Sequence, residues 1–88
     1  MFYVYVLKSK KLNELYVGST NDLKRRLIEH NKGNVESTKF RKPYKLIYYE
    51  AYLSESDARR RESMLKLRGQ ARVHLLTRLK DTLKQNEN

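Results

Sequence analysis

The sequence contains no cysteine, which rules out disulfides and thiolate metal sites as sources of stability. That absence fits a reducing cytoplasm, the expected location of the chain. No apolar run approaches the roughly 20 residues that a membrane-spanning helix needs. The early apolar stretch, residues 1–7 (MFYVYVL), also lacks the basic segment that opens a secretory signal, so neither a leader nor a membrane partner is expected. At 88 residues there is no room for a second folded unit, and no repeat, linker or low-complexity stretch divides the chain. The expected organisation is one domain over residues 1–83 and a polar tail over residues 84–88. Acidic residues are scarce: 10 Asp plus Glu face 20 Lys plus Arg, for a formal net charge of +10. Such a charge density points to a polyanionic partner, nucleic acid first, although a ribosome-like or merely soluble basic protein would share it.

The pattern of what is present predicts an α+β fold in the order β-β-α-β-α-α. Residues 1–7 are β-branched and aromatic on both faces, as in a strand covered on both sides. Residues 8–14 are polar and contain Asn13, which predicts a turn into a short second strand, residues 15–17, ended by Gly18. Thr20 or Asn21 can cap a helix whose apolar positions are Leu23, Leu27 and Ile28, with Asp22 near the positive end of its dipole and a stop near Lys32 and Gly33. Residues 34–43 (NVESTKFRKP) show no period and read as a loop. A third strand is expected over residues 44–52. Ser54 and Asp57 resemble a capping box opening a second helix that runs to about Leu67 and ends at Gly69; Leu75, Leu76, Leu79 and Leu83 then mark a third.

Several groups carry chemistry. Tyr5 and Tyr16 fall on the two strands of one hairpin, where their hydroxyls could share a site, yet tyrosines are also ordinary strand residues. At about 100° per residue, Arg26 and His30 border the apolar stripe of the first helix, about 60° and about 20° from Leu23, while Arg25 should point away. Basic residues there can snorkel or, at i,i+4, reach one phosphate together. Glu62 shares a stripe with Ala58 and Leu65, so its carboxylate needs a partner: an Arg in a structural ion pair, or a hard cation of the Mg²⁺ type held by one carboxylate, water and phosphate. The triplet Arg59, Arg60, Arg61 and the residues Lys24, Lys32, Lys39, Arg41 and Lys42 suit phosphate contacts, which give affinity without sequence readout; each taken singly could equally be solvated surface.

Tyr3-Val4-Tyr5, followed after ten residues by Tyr16-Val17-Gly18, together with residues 16–31 (YVGSTNDLKRRLIEHN) and 37–50 (STKFRKPYKLIYYE), resembles the GIY-YIG nuclease family. The similarity is to small stand-alone bacterial members and to the nuclease domain of the excision-repair incision subunit, so a role in DNA repair is implied. The resemblance implies a three-stranded antiparallel sheet flanked by three helices. It also implies a DNA endonuclease using one Mg²⁺ or Mn²⁺. Tyr5 and Tyr16 would correspond to the motif tyrosines, Arg26 to the catalytic arginine, His30 to a histidine of some members, and Glu62 to the metal-binding glutamate. Tyr3 stands where the name motif has Gly, and no equivalent of the family's late Asn is assigned, His74 being the nearest comparable position. The sequence offers no element for reading base edges over a long site, which suits a structure-selective enzyme. A basic nucleic-acid-binding module with little or no cleavage is the alternative, and RNA is the other polyanion that would suit it.

Overall fold

The computed structural model describes residues 1–85. Three antiparallel strands, β1 (Phe2–Ser9), β2 (Leu15–Thr20) and β3 (Tyr44–Tyr52), form one sheet in the order β2-β1-β3. The two-sided apolar strand is therefore the central one. Helix α1 (Leu23–Asn31) follows β2, and α2 (Glu55–Lys66), α3 (Gln70–Arg78) and α4 (Lys80–Lys84) follow β3.

Alternation along β1 divides the core in two. Val4 and Val6 turn toward α2 and α3, where they join Val17, Ala58, Leu65, Leu75 and Leu79. Tyr5 and Leu7 turn the other way and join Tyr44, Tyr16, Leu23, Leu27 and Leu46 beside α1. The sheet is thus sandwiched, and burial on both faces explains why β1 has no polar face. Leu65 is fully buried; its truncation to Ala should cost about 2–5 kcal/mol through lost transfer energy and a residual cavity.

A bulge in β3 opposite Val6 and Leu7 decides what each face carries. Leu46 faces α1, whereas Ile47 and Tyr48 both pack with the α2 cluster. Beyond the bulge Tyr49 lies opposite Tyr5, and Tyr48, Glu50 and Tyr52 line the α2 side, where the two phenols donate to Glu50 and Arg61 grips the same carboxylate through Nε and Nη2.

Several boundaries differ from the sequence expectation. Strand β2 continues through Gly18 to Thr20, because the ring of Tyr5 lies over position 18: a Cβ there would overlap the Tyr5 hydroxyl and sit 2.6 Å from Tyr5 Cζ and 3.1 Å from Tyr16 Cε2. The glycine serves close approach rather than strand termination. Helix α1 is capped by Asp22, which accepts from the Arg25 amide at 3.0 Å; Thr20 instead accepts from the Asp22 amide. Ser54 caps α2 as expected, accepting from the Asp57 amide, but α2 ends at Lys66 and Gly69 opens α3. The expected third helix is split at Leu79, a buried core residue with ψ of 14°. Lys84 closes α4 rather than starting a tail, and residues 86–88 lie outside the described residues.

Two side-chain clamps fix the loop between α1 and β3. Asn31 holds both backbone groups of Tyr44, accepting from its amide at 2.6 Å and donating to its carbonyl at 3.1 Å. The buried Ser9 hydroxyl donates to the Arg41 carbonyl at 2.6 Å and accepts from the Lys11 and Leu12 amides. The loop, which contains a 3-10 turn at Lys39–Arg41, is thereby drawn against the sheet. Asn13 turns the hairpin with φ of 56°, a left-handed conformation that Asn tolerates. No helix among the described residues is long and apolar enough to cross a membrane.

Candidate active site

The two motif tyrosines meet where the sequence placed them, on adjacent strands, with ring centroids 6.3 Å apart. Tyr5 is buried and Tyr16 partly exposed. Between them and Tyr44 lies the ring of His30, edge-on to all three. His30 is completely buried, so of the two placements that helical spacing left open, snorkelling to solvent and reaching a phosphate beside Arg26, it takes neither. Its place about 20° from Leu23 on the helical wheel puts it inside the core instead of at its border.

What His30 does is hold Tyr5. Its Nε2 lies 2.8 Å from the Tyr5 hydroxyl and its Nδ1 lies 2.7 Å from Thr38 Oγ1. The Thr38 hydroxyl is directed at the Val35 carbonyl at 3.5 Å. Burial pushes the imidazole down to about 4, the Arg26 charge adding to the effect, so near neutral pH the ring is uncharged and carries one proton. If Thr38 donates to Val35, the ring proton is assigned to Nδ1 and the Tyr5 hydroxyl donates to Nε2. The chain Tyr5, His30, Thr38, Val35 is then a directional series with each buried polar atom satisfied. Sequence reading did not single out Thr38 as a site residue; nothing in a loop without periodicity shows that it will fold back onto the helix.

Burial also pushes the Tyr5 phenol up to about 12, against the opposing pull of the neighbouring Arg26 guanidinium. Arg26 in turn donates to Glu29 at 2.9 Å, and this bond, outweighing its partial burial, raises its pKa further. The guanidinium is therefore a permanent cation beside a protonated phenol.

Glu62 approaches from the other face of the sheet. Its Oε1 accepts from the Ser19 hydroxyl at 2.5 Å and its Oε2 pairs with Lys66 Nζ at 2.6 Å. Although burial pushes the carboxyl up, the bonds from Lys66 and Ser19 outweigh it and hold it below the ordinary carboxylate range. The family resemblance implies that Tyr5, Tyr16, Arg26 and Glu62 share one concave, positively charged sheet surface, and that expectation is corrected: Tyr5 lies over Gly18 on the α1 side, while Glu62 holds the next residue, Ser19, from the α2 side. They converge on one segment of an edge strand, and the carboxylate charge is felt at the phenol.

A cleft of about 300 Å³ opens at this end of the hairpin, lined by Phe2, Ser19, Thr20, Asn21, Arg25, Arg26, Glu55, Ala58 and Arg59. It joins both sides of the strand and presents three arginines. Arg25 points away from the core as expected, yet it lines this cleft, oriented by Asn21. Arg59 does so too, held by Glu55 through Nε and Nη2. Lys24 and Lys32 share a neighbouring depression that Arg25 also lines. Lys39 pairs with Glu36 and lies over the Phe40 ring, Arg41 pairs with Glu14, and Lys42 packs along Gly33; none of these three lines the cleft. The arginine triplet splits: Arg60 pairs with Asp57 in solvent, and Arg61 is committed to Glu50, a structural anchor rather than a phosphate contact. His74 bonds Gln70 on α3 and lines a different depression.

A family model described as the GIY-YIG catalytic domain matches residues 1–75. The chain belongs to the GIY-YIG nuclease family. Its relatives are UPF0213 proteins: one from Streptococcus agalactiae is 45% identical over 65 residues, covering 73% of each chain. One from Staphylococcus haemolyticus is 43% identical over 65 residues, covering 73% of this chain and 78% of the relative. The solution NMR structure of a UPF0213 protein from Bacillus halodurans matches with a TM-score of 0.53 at 33% identity, over 91% of this chain and 86% of that one. The three-stranded antiparallel sheet with flanking helices is thus the GIY-YIG fold.

GIY-YIG nucleases generally use divalent metals, and the donors here suit one. Among the described residues no group of three or more His, Asp or Glu gathers, but Mg²⁺ is commonly held through a single carboxylate completed by water and substrate phosphate. Glu62 is such a carboxylate, ionised, four-fifths buried and already balanced by a cation, Lys66, whose side chain is half-exposed and able to leave.

Proposed function

We propose that this chain is a DNA endonuclease that hydrolyses phosphodiester bonds with one Mg²⁺ or Mn²⁺, selecting DNA structure rather than sequence, in the cytoplasm. The observation that carries the reading is that Tyr5 covers Gly18 from one face of the strand and Glu62 holds Ser19 from the other, beside a cleft that Ser19 and Arg26 line together with Arg25 and Arg59. Glu62 would hold the metal, with Ser19 fixing its orientation. When bound, the metal supplies Lewis-acid stabilisation of the scissile phosphate and its leaving oxygen.

Arg26 stabilises charge on the phosphate, a role suited to a guanidinium fixed in advance by Glu29. Tyr16, the more exposed phenol, takes the proton of the attacking water. Tyr5 orients that water: its own hydrogen is committed to His30, so its oxygen is left to accept. Arg25 and Arg59 position the strand through its backbone, and Lys24 and Lys32 extend the track.

The test is incubation of purified protein with labelled branched, nicked, single-stranded and duplex DNA, with and without Mg²⁺ or Mn²⁺, beside Arg26→Ala and Glu62→Ala. Metal-dependent products from wild type and none from either variant are expected. A second reading, a basic binding module on the same scaffold, draws on the Lys66 ion pair that closes the Glu62 carboxylate; it predicts DNA binding with no products at all.

A further inference from the structure

One part of the α1 side of the sheet is left open. Helix α1 packs at the end that carries Leu7, Leu46 and Tyr44. Beyond Tyr5 lie Tyr3, flanked across the sheet by Thr20 and Ala51, and Tyr49, directly opposite Tyr5. The rings of Tyr3 and Tyr49 meet edge to face at 5.9 Å, and Tyr49 keeps 54% of its surface in solvent. Neither ring belongs to a core cluster, so the exposure of Tyr49, with the half-buried Tyr3 against it, serves no packing that the fold requires. Tyr3 stands at the first position of the first motif, where its ring leans on Tyr49.

The neighbourhood is cationic. Arg26 lies beside Tyr5, and the cleft that Thr20 lines also presents Arg25 and Arg59. A second copy of this chain, also carrying +10, is repelled from such a surface, whereas a polyanion with flat apolar faces fits both features. Sheet-borne aromatic rings next to phosphate-binding cations are the means by which proteins hold single strands: each base stacks, and the backbone follows the charge.

We propose that Tyr49, steadied by Tyr3, is a stacking platform for an unpaired base of a DNA strand whose phosphate lies against Arg26. The inference rests on the nuclease reading for the place of that phosphate, and it narrows the substrate to DNA with unpaired bases beside the cut. In a closed duplex both base faces are already stacked, so the platform discriminates against it.

The experiment measures binding without divalent metal, by fluorescence anisotropy, for a short labelled DNA single strand and for the blunt duplex of the same sequence. The full chain is compared with Tyr49→Leu, Tyr3→Leu and Tyr49→Phe. Tyr49→Leu should weaken single-strand binding about tenfold and leave duplex binding within about twofold; Tyr3→Leu should give a smaller loss of the same kind; Tyr49→Phe should bind like wild type. A 2-aminopurine base in the single strand should be quenched by wild type and not by Tyr49→Leu. Equal losses on both DNAs, no loss, no single-strand binding by wild type, or a wild-type dimer dissolved by Tyr49→Leu in gel filtration would each overturn the proposal. Tighter, Tyr49-dependent binding of the matching RNA strand would overturn its assignment to DNA. Wild-type cleavage in Mg²⁺, measured separately, keeps the two readings apart: a failed platform leaves cleavage standing, and Tyr49-dependent binding without cleavage sinks only the nuclease.

Discussion

The Ser19 hydroxyl donates to Oε1 of Glu62 at 2.5 Å, tying α2 to the edge strand one residue beyond Gly18, over which the Tyr5 ring lies. This bond fixes a carboxylate on one side of the sheet at the strand segment that a phenol covers from the other. Hydrogen bonds to charged groups contribute about 1.5–3 kcal/mol. Ser19→Ala should therefore lower the melting temperature by several degrees and, on the nuclease reading, lower metal-dependent cleavage and raise the metal concentration needed for half-maximal rate. Metal-titrated cleavage beside a thermal melt checks both.

Gly18 admits the Tyr5 ring and nothing larger. Gly18→Ala should cost about 1–3 kcal/mol by overpacking, because Tyr5 is buried and tied to His30 and cannot move aside freely. Urea unfolding should show the loss in midpoint with an unchanged slope.

Thr38→Val keeps the shape of the side chain and removes the hydroxyl that satisfies His30 Nδ1. A buried donor without a partner costs about 1–3 kcal/mol, which for a domain of this size lowers Tm by about 4–8 °C per kcal/mol. Thr38→Ser, which retains the hydroxyl, should recover most of it in the same melt.

Two acid-sensitive windows follow from the His30 imidazole and the Glu50 carboxylate. His30 is held down to about 4 from its ordinary 6.5 by burial, so the folded state resists its protonation; its contribution is complete above pH 6.5 and is lost as pH falls toward 4. Glu50 is held down to about 2 from 4.5, the bonds from Arg61, Tyr48 and Tyr52 overcoming its burial; its contribution is complete above pH 4.5 and is lost as pH falls toward 2. Stability should thus fall in two stages on acidification, and Glu50→Gln should flatten the lower stage while leaving the upper. The rate profile of wild type should show no inflection near pH 6.5, since His30 does not titrate there.

Local pattern made most of this legible. Residues 1–7 read as a central strand because no face of β1 is polar, and Ser54 with Asp57 marked the start of α2 because capping is a short-range bond. Tyr5 and Tyr16 stand out through motif spacing, Arg26 and Glu62 through their places on helical stripes and the family resemblance. What local pattern could not reach was long-range. Gly18 reads as a terminator until the ring of Tyr5 is known to lie across it. Arg61 reads as one of three equivalent surface cations until Glu50, eleven residues away, is placed beside it by the β3 bulge. His30 reads as a border residue until Thr38 folds over it, and Tyr3 and Tyr49 are 46 positions apart in the chain yet share a ring contact.

The most direct test of the central claim is single-turnover cleavage by Glu62→Gln, which retains the side-chain shape and an oxygen for Ser19 but removes the charge. Loss of Mg²⁺-dependent cleavage by about a hundredfold or more is expected, with DNA affinity within about threefold of wild type. Cleavage by Glu62→Gln at the wild-type rate would contradict it.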